Sequence, residues 1–379
     1  MISVILCLKK ILYHLFQLET PFFVLDRSAF SNLTAYSVEV AAYKKVMADV
    51  AALFLDPLPE SADKKLLETA LEEVFTLEQR LVLSSSEGDR PPEALYSKMT
   101  LAELSSSSQL NWTSLLNEYI EDFRLPYAFS DEDEVIVEDR PYYQSLAGII
   151  TATPTHVLYN YLGLKVAWSV SGWSSQALRD IDHAYHQAVL GVQQVPLLWS
   201  RCLQRLNSLL GYATTRLYLD KLKKEFGGDK VVGETKAKAE EVVVNLKAAL
   251  QEMITSSEWL DEDTKAKALE KAQATAYYVS HPLWLEDDEV LDERHSCKGG
   301  KRGEIGDNFT STSPPPPPPE LPTITKGNLF RSVIDLFRCS ESRVFSELHQ
   351  PINLTLNAWS SNLLHVNAAA EWEQNSISK

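Results

Sequence analysis

Residues 241–274 read EVVVNLKAALQEMITSSEWLDEDTKAKALEKAQA, and this stretch contains the signatures of two helices. Val243, Leu246, Leu250, Met253 and Ile254 fall at i, i+3, i+7, i+10 and i+11, with Lys247, Gln251 and Glu252 off that stripe. The spacing predicts an amphipathic helix with a core face. A second helix then starts at a readable cap. Asp261 can accept from the free amides of a first turn, and Glu262 and Asp263 suit its positive end. Ala266, Ala268, Leu269, Ala272 and Ala274 follow with strong helix propensity.

Working outward, the same period dominates from about residue 37 to 278. It predicts further helices over 38–55, 63–83, 110–123, 142–151, 155–168, 175–190 and 199–226. Strand signals are scarce. Connections such as Gly88-Asp89-Arg90-Pro91-Pro92, Asp131 to Glu134 and Gly227-Gly228-Asp229 carry the residues of turns between packed helices. No fixed repeat period emerges, so a solenoid is not supported.

The composition changes near Cys297. Residues 297–325 hold a Lys/Gly run, a Ser/Thr stretch and six consecutive prolines, Pro314 to Pro319, which predict an extended linker or insertion. Beyond it, Leu329, Val333, Leu336 and Phe337 resume a helical stripe that can run to about His349.

A chain of 379 residues with 45% apolar composition can bury a core, and its length suits two or three domains. Acidic residues outnumber basic ones 52 to 36, a formal charge of −16 that repels nucleic acid and anionic lipid. Cys7, Cys202, Cys297 and Cys339 are too few for a disulfide scaffold and lack metal-site spacing. Asn32, Asn111, Asn308 and Asn353 each open an Asn-x-Thr sequon, a glycan acceptor if the chain enters the secretory pathway. The start, Met1 to Phe16, has apolar runs broken by Lys9-Lys10. They are too short to span a membrane and lack the order of a signal peptide.

A zinc peptidase of the two-histidine kind needs His-Glu-x-x-His on a helix, and that motif does not occur. Only His183-Ala184-Tyr185-His186 brings two imidazoles near each other. With no carboxylate placed as a base, a surface or packing role is expected for them. No Gly-x-Ser-x-Gly elbow, phosphate-binding glycine loop or dinucleotide fingerprint occurs. The acidic runs Asp131 to Glu134 and Glu286 to Glu289 lack the glycine and spacing of a calcium loop and are expected to be solvated turns.

Several blocks, in order along the chain, resemble the neprilysin and endothelin-converting-enzyme family of zinc metallopeptidases. They are Leu95-Tyr96-Ser97-Lys98-Met99-Thr100-Leu101, Trp112-Thr113-Ser114-Leu115-Leu116, Val135-Ile136-Val137 before Tyr142-Tyr143, Asn160-Tyr161-Leu162, Trp199-Ser200-Arg201-Cys202 and Arg216-Leu217-Tyr218. The strongest runs from Glu258-Trp259-Leu260-Asp261 through Ala268-Leu269-Glu270-Lys271-Ala272. Asn328-Leu329-Phe330, Val366-Asn367-Ala368 and Asn375-Ser376-Ile377 look like the approach to the family's substrate-binding edge strand. The resemblance covers roughly 18–290 and 327–378.

It implies a mainly α fold: the multi-helix lobe of a neprilysin-like two-lobed peptidase, followed by the start of the mixed catalytic lobe. The implied division is an unassigned 1–17, a helical lobe 18–296, the insertion 297–325 and a first piece of catalytic lobe 326–379, ending before the zinc motif. Asn367 and Ala368 inherit the role of hydrogen-bonding a peptide backbone beside the zinc site, although Ala369-Ala370 replace the family's aromatic. Oligopeptides are the implied substrates, in an extracellular or plasma-membrane ectodomain. Zinc is the cofactor of complete members, and none is expected on this chain, in which no catalytic or metal-ligating residue is assigned. The cysteine matching Cys202 is bridged in the family to one near the N-terminus, yet Asp26 to Tyr36 holds none. The expectation is a metalloendopeptidase represented by its substrate-enclosing part and inactive alone. The alternatives are an inactive secreted peptide-binding protein or a truncated gene prediction.

Overall fold

The computed structural model describes residues 2–6, 14–54, 61–86, 97–121, 127–295, 327–348, 363–364, 369–371 and 376–378. The chain divides into two units. One comprises Met1–Val4, Leu15–Pro196 and Thr323–Asp335; the other comprises Ile5–His14, Leu197–Pro322 and Leu336–Lys379.

A small sheet, whose residues belong to the first unit apart from Ile5, Leu6 and His14, is ordered β1-β2-β4-β3, with β1 Ile2–Leu6, β2 His14–Leu18, β3 Ser97–Thr100 and β4 Glu134–Val137. Val135, Ile136 and Val137 are all buried, which explains why this strand is a continuous apolar run rather than an alternating one. β2 lies parallel to β4 with Phe16 opposite Val135, and β3 lies antiparallel with Ser97 opposite Val137. β2 begins inside the stretch left unassigned on sequence grounds, and its Phe16 and Leu18 are core residues.

Among the described residues of Leu15–Pro196 there are eight α-helices: α1 Arg27–Ser31, α2 Ser37–Phe54, α3 Ser61–Ser84, α4 Leu101–Ser108, α5 Trp112–Glu121, α6 Arg140–Thr151, α7 Thr155–Ser169 and α8 Gln176–Leu190. Their ends follow capping chemistry. Asp26 accepts from the Ala29 amide at 3.0 Å, Asp139 from Tyr142 at 3.2 Å, and Thr100 with Glu103 forms a reciprocal capping box. Gly191 takes the left-handed conformation (φ 67°) that closes α8. Aromatic pairs join α1, α2, α3, α7 and α8, with ring centroids 5.3 Å apart for Phe30–Phe75, 5.6 Å for Tyr43–Trp168 and 5.4 Å for Trp168–Tyr185. Among them Glu78 of α3 is fully buried. It accepts from the Tyr43 hydroxyl of α2 and, at 2.9 Å, from Lys165 Nζ of α7. Burial pushes the Tyr43 phenol far above its ordinary pKa, so the phenol is the donor in that bond.

The second unit contains α9 Leu198–Leu209, α10 Gly211–Glu225, α11 Gly228–Ser256, α12 Glu262–Ala274 and α13 Asp288–His295. The strands β5 Ala276–Tyr278, β6 Ala369–Glu371 and β7 Ser376–Ser378 form its sheet, and α14, Leu329–Ser346, carries residues of both units. Tyr212, Leu219 and Leu285 form a buried cluster flanked by Trp284 and Leu291. Arg294 lies over the rings of Trp284 and Tyr212, 5.3 and 5.8 Å from their centroids.

Four expectations change here. The predicted helix 199–226 is two helices, because Leu210 leaves helical geometry at φ −128° and Thr214 returns a hydroxyl bond to Asn207. The expected turn at Gly227-Gly228-Asp229 is present but shorter: Phe226 and Gly227 make the turn between α10 and α11, and Gly228 and Asp229 already belong to the second helix. Gly227 caps α11 at φ 99°, and the helix continues for 29 residues. The stripe expected to face a core buries Val243, whereas Leu246, Leu250 and Met253 are 61%, 46% and 69% exposed. The acidic run 286–289 is exposed, as expected, but it is not a turn. A 3₁₀ helix, Leu283–Glu286, passes directly into α13, and the Asp287 carboxylate accepts from the Glu289 amide at 3.0 Å.

Candidate functional site

Two features of the second unit bear on chemistry, and both begin at β5. Asp261 caps α12 as expected, accepting from the Thr264 amide at 2.8 Å. The helix ends at Ala274, and Lys247 of α11 reaches across to the carbonyls of Gln273 and Thr275. It thereby satisfies the helix C-terminus with a cation where the dipole favours one. This pins the entry into β5. The sheet order is β5-β7-β6, with β5 parallel to β7 and β6 antiparallel to it; Tyr277 and Ala370 both lie opposite Ile377. Among the described residues β6 has a strand on one side only. An edge strand offers unpaired backbone donors and acceptors, the requirement for adding an extended peptide as a further strand.

Asn367 and Ala368 immediately precede β6 but lie outside the described residues, as do Asn308, Asn353 and the proline run. Asn32 and Asn111 are described and exposed. The Asn32 side-chain oxygen caps a turn, accepting from the Ala35 amide, and that of Asn111 caps the start of α5, accepting from the Ser114 amide.

The other feature has no signature in the sequence. β5 runs out into Val279 and then Ser280, a non-glycine residue at φ 68°, in the left-handed region. His281 is 3% exposed. The Ser280 hydroxyl lies 2.9 Å from His281 Nδ1, and Glu286 Oε1 lies 3.2 Å from His281 Nε2. Glu286 is held in turn by Lys223 of α10, which also pairs with Asp229 at 2.7 Å. Lys236 of α11 donates to the His281 carbonyl at 2.7 Å. Burial holds the His281 imidazole below the usual histidine pKa, outweighing the pull of Glu286. The Lys223 hydrogen bond holds Glu286 below the usual carboxylate range. A carboxylate can only accept, so the imidazole proton sits on Nε2, and Nδ1 presents a lone pair to the serine hydroxyl.

The remaining described histidines do not converge. His186 of α8 bonds the Asp182 carbonyl at 2.8 Å beside the buried Tyr185, and exposed His156 faces Glu73 at 3.3 Å. Among the described residues no three His, Cys, Asp or Glu side chains come together to hold a metal ion, so these residues do not assemble the donor set that zinc requires. Cys202 is free and exposed, whereas Cys339 is disulfide-bonded. No described helix is long and apolar enough to cross a membrane.

Similar proteins give the arrangement its context. Neprilysin-1 of Trittame loki is 25% identical over 373 residues, covering 96% of this chain and 46% of its own length. Human endothelin-converting enzyme 1 is 24% identical over 272 residues, covering 71% of this chain and 33% of the enzyme. Among solved structures, Mycobacterium tuberculosis zinc metalloprotease Zmp1 with an inhibitor matches with a TM-score of 0.74 at 18% identity. That match covers all of this chain and 50% of the other. PepO of Lactobacillus rhamnosis matches with a TM-score of 0.67 at 13% identity. The chain therefore spans about half or less of the length of these relatives. Residues 12–282 match the sequence profile of the amino-terminal part of Peptidase family M13. With most of its length matched and the fold shared, this chain belongs to Peptidase family M13, the family of neprilysin-like zinc metallopeptidases.

Proposed function

We propose that this chain is the substrate-enclosing helical portion of a neprilysin-like metalloendopeptidase acting on oligopeptides, with residues 18–296 as the lobe and 326–379 as the start of the catalytic part. The observation that carries this reading is the family match over residues 12–282, together with the edge position of β6 directly after Asn367-Ala368. In this reading Asn367 donates to and accepts from the backbone of an extended peptide laid along β6. The zinc of complete members would be held by a His-Glu-x-x-His that these 379 residues do not contain. The disulfide at Cys339 and the exposed sequons at Asn32 and Asn111 support an oxidising, extracellular setting. A net charge of −16 argues against nucleic-acid partners.

A fluorescent oligopeptide titrated against the purified chain tests the reading. Peptide binding that weakens about tenfold in Asn367→Ala, without chelator-sensitive cleavage, is the expected result, a loss of about 1.4 kcal/mol. Binding unaffected by that variant would remove the edge-strand assignment. The second reading is an inactive secreted peptide-binding protein. A transcript that ends at Lys379 and yields a secreted, metal-free peptide binder would select it.

A further inference from the structure

We propose that Ser280 is an activated nucleophile, with His281 as its general base and Glu286 as the group that orients that base, and that it accepts acyl groups from small esters with good leaving groups.

Connectivity is the first support. Nucleophilic catalysis by serine needs a hydroxyl in contact with a neutral imidazole whose other nitrogen is fixed by an acceptor. Ser280 Oγ and His281 Nδ1 are 2.9 Å apart, and His281 Nε2 meets Glu286 Oε1 at 3.2 Å. The base is 3% exposed, while its nucleophile is exposed; a buried base beside an accessible hydroxyl is the asymmetry such chemistry requires. Glu286 does not hang free, since Lys223 fixes its second oxygen. The backbone is a second, independent observation. Ser280 occupies a left-handed conformation that glycine would adopt without strain, and non-glycine residues held there concentrate at functional turns. The Lys236 bond to the His281 carbonyl holds the next peptide in place.

In the proposed step Ser280 Oγ attacks the ester carbonyl, forming an Oγ–C bond as its proton passes to His281 Nδ1. The ester C–O bond then breaks, and the proton moves from Nδ1 to the departing oxygen. The products are an acyl-serine and an alcohol or phenol, and no other reactant is needed. This chemistry is separate from the metal-dependent peptidase reading and does not rest on it.

The test uses the full chain and p-nitrophenyl acetate, with nitrophenolate release read optically and the acetylated peptide located by mass spectrometry. The expected result is a single acetyl group on the peptide carrying Ser280. Ser280→Gly, which suits the left-handed backbone and should fold, abolishes that label. His281→Gln slows labelling about a hundredfold, the usual scale of a lost general base. Because Glu286, Lys223 and Lys236 face His281, the wild-type rate should rise with pH as the imidazole loses its proton, and Glu286→Gln should displace that profile. Acetylation confined to lysines, or nitrophenolate release unchanged in a folded Ser280→Gly chain, would overturn the proposal.

Discussion

Lys165→Met gives the sharpest test of what holds the first unit together. Glu78 has no exposed surface, and its hydrogen-bonding partners are Tyr43 and Lys165. Methionine keeps most of the lysine stem's volume but removes the cation, leaving a buried carboxylate with a single hydroxyl donor. Breaking a buried pair in this way costs about 3–5 kcal/mol, because one charge remains uncompensated. The Lys165 side chain is 27% exposed, so water reaches the pair and places the loss near the lower end, about 3 kcal/mol. The segment Leu15–Pro196 is about 180 residues long. For a unit of that size each kcal/mol shifts the melting temperature by roughly 2–4 °C, so the variant should melt roughly 6–12 °C lower. The double variant Glu78→Gln with Lys165→Met removes the stranded charge and should recover at least half of that. Calorimetry on the three chains decides the matter. A Lys165→Met chain melting within about 2 °C of wild type, a threshold of under about 1 kcal/mol, would refute the account of Glu78 as a paired buried charge.

Other consequences are open to measurement. Thr100→Ala removes half of the capping box on α4 and should cost about 1 kcal/mol in urea unfolding, with an unchanged m-value. Ile136→Ala at the centre of the sheet should cost about 2–5 kcal/mol and speed hydrogen exchange in both β2 and β3. Acidification should loosen the second unit. Burial lowers His281 and His295 below their ordinary value of 6.5, so below that pH the unfolded chain takes up more protons than the native one. Their contribution is complete above about pH 6.5 and is lost as pH falls, and the depressed Glu286 adds a loss of the same sign nearer pH 4. Hydrogen exchange across 197–295 at about pH 7.5 and about pH 5.5, corrected for intrinsic rates, should show this. Replacing both histidines by glutamine should flatten it.

Helices whose stability is written locally are legible in the sequence. Asp261 followed by acidic residues and alanines marks the start of α12 to the residue, whereas the apolar run 135–137, read only as a block of the family resemblance, is a buried strand in the structure. Pattern and structure part where tertiary packing overrides local signals. Leu210 is a good helix former, and nothing in its own chemistry announces a break. Gly227 reads equally well as a turn or as a left-handed cap. Periodicity places Leu246, Leu250 and Met253 on a face with Val243, but does not say what that face meets. The edge strand is legible only through the blocks flanking it, since Asn367 alone is an unremarkable polar residue. The Ser280-His281-Glu286 cluster leaves no sequence signal. A serine in a left-handed turn looks like any other, and Glu286 reads as part of an acidic tract.

The parallel pairing of β2 with β4 also has a consequence for biosynthesis. Thr20 bonds Glu138 across 118 residues, Tyr143 reaches back 124 to Glu19, and Tyr185 reaches back 161 to Val24. At about 5–20 residues per second, a ribosome leaves the first strand waiting roughly 6–24 s for its neighbour. During that interval Phe16, Leu18 and the apolar faces of α2 and α3 are in the cell without their final cover. The nascent chain is then most dependent on chaperones, and variants that slow closure of this sheet should reduce yield well before they alter the finished protein.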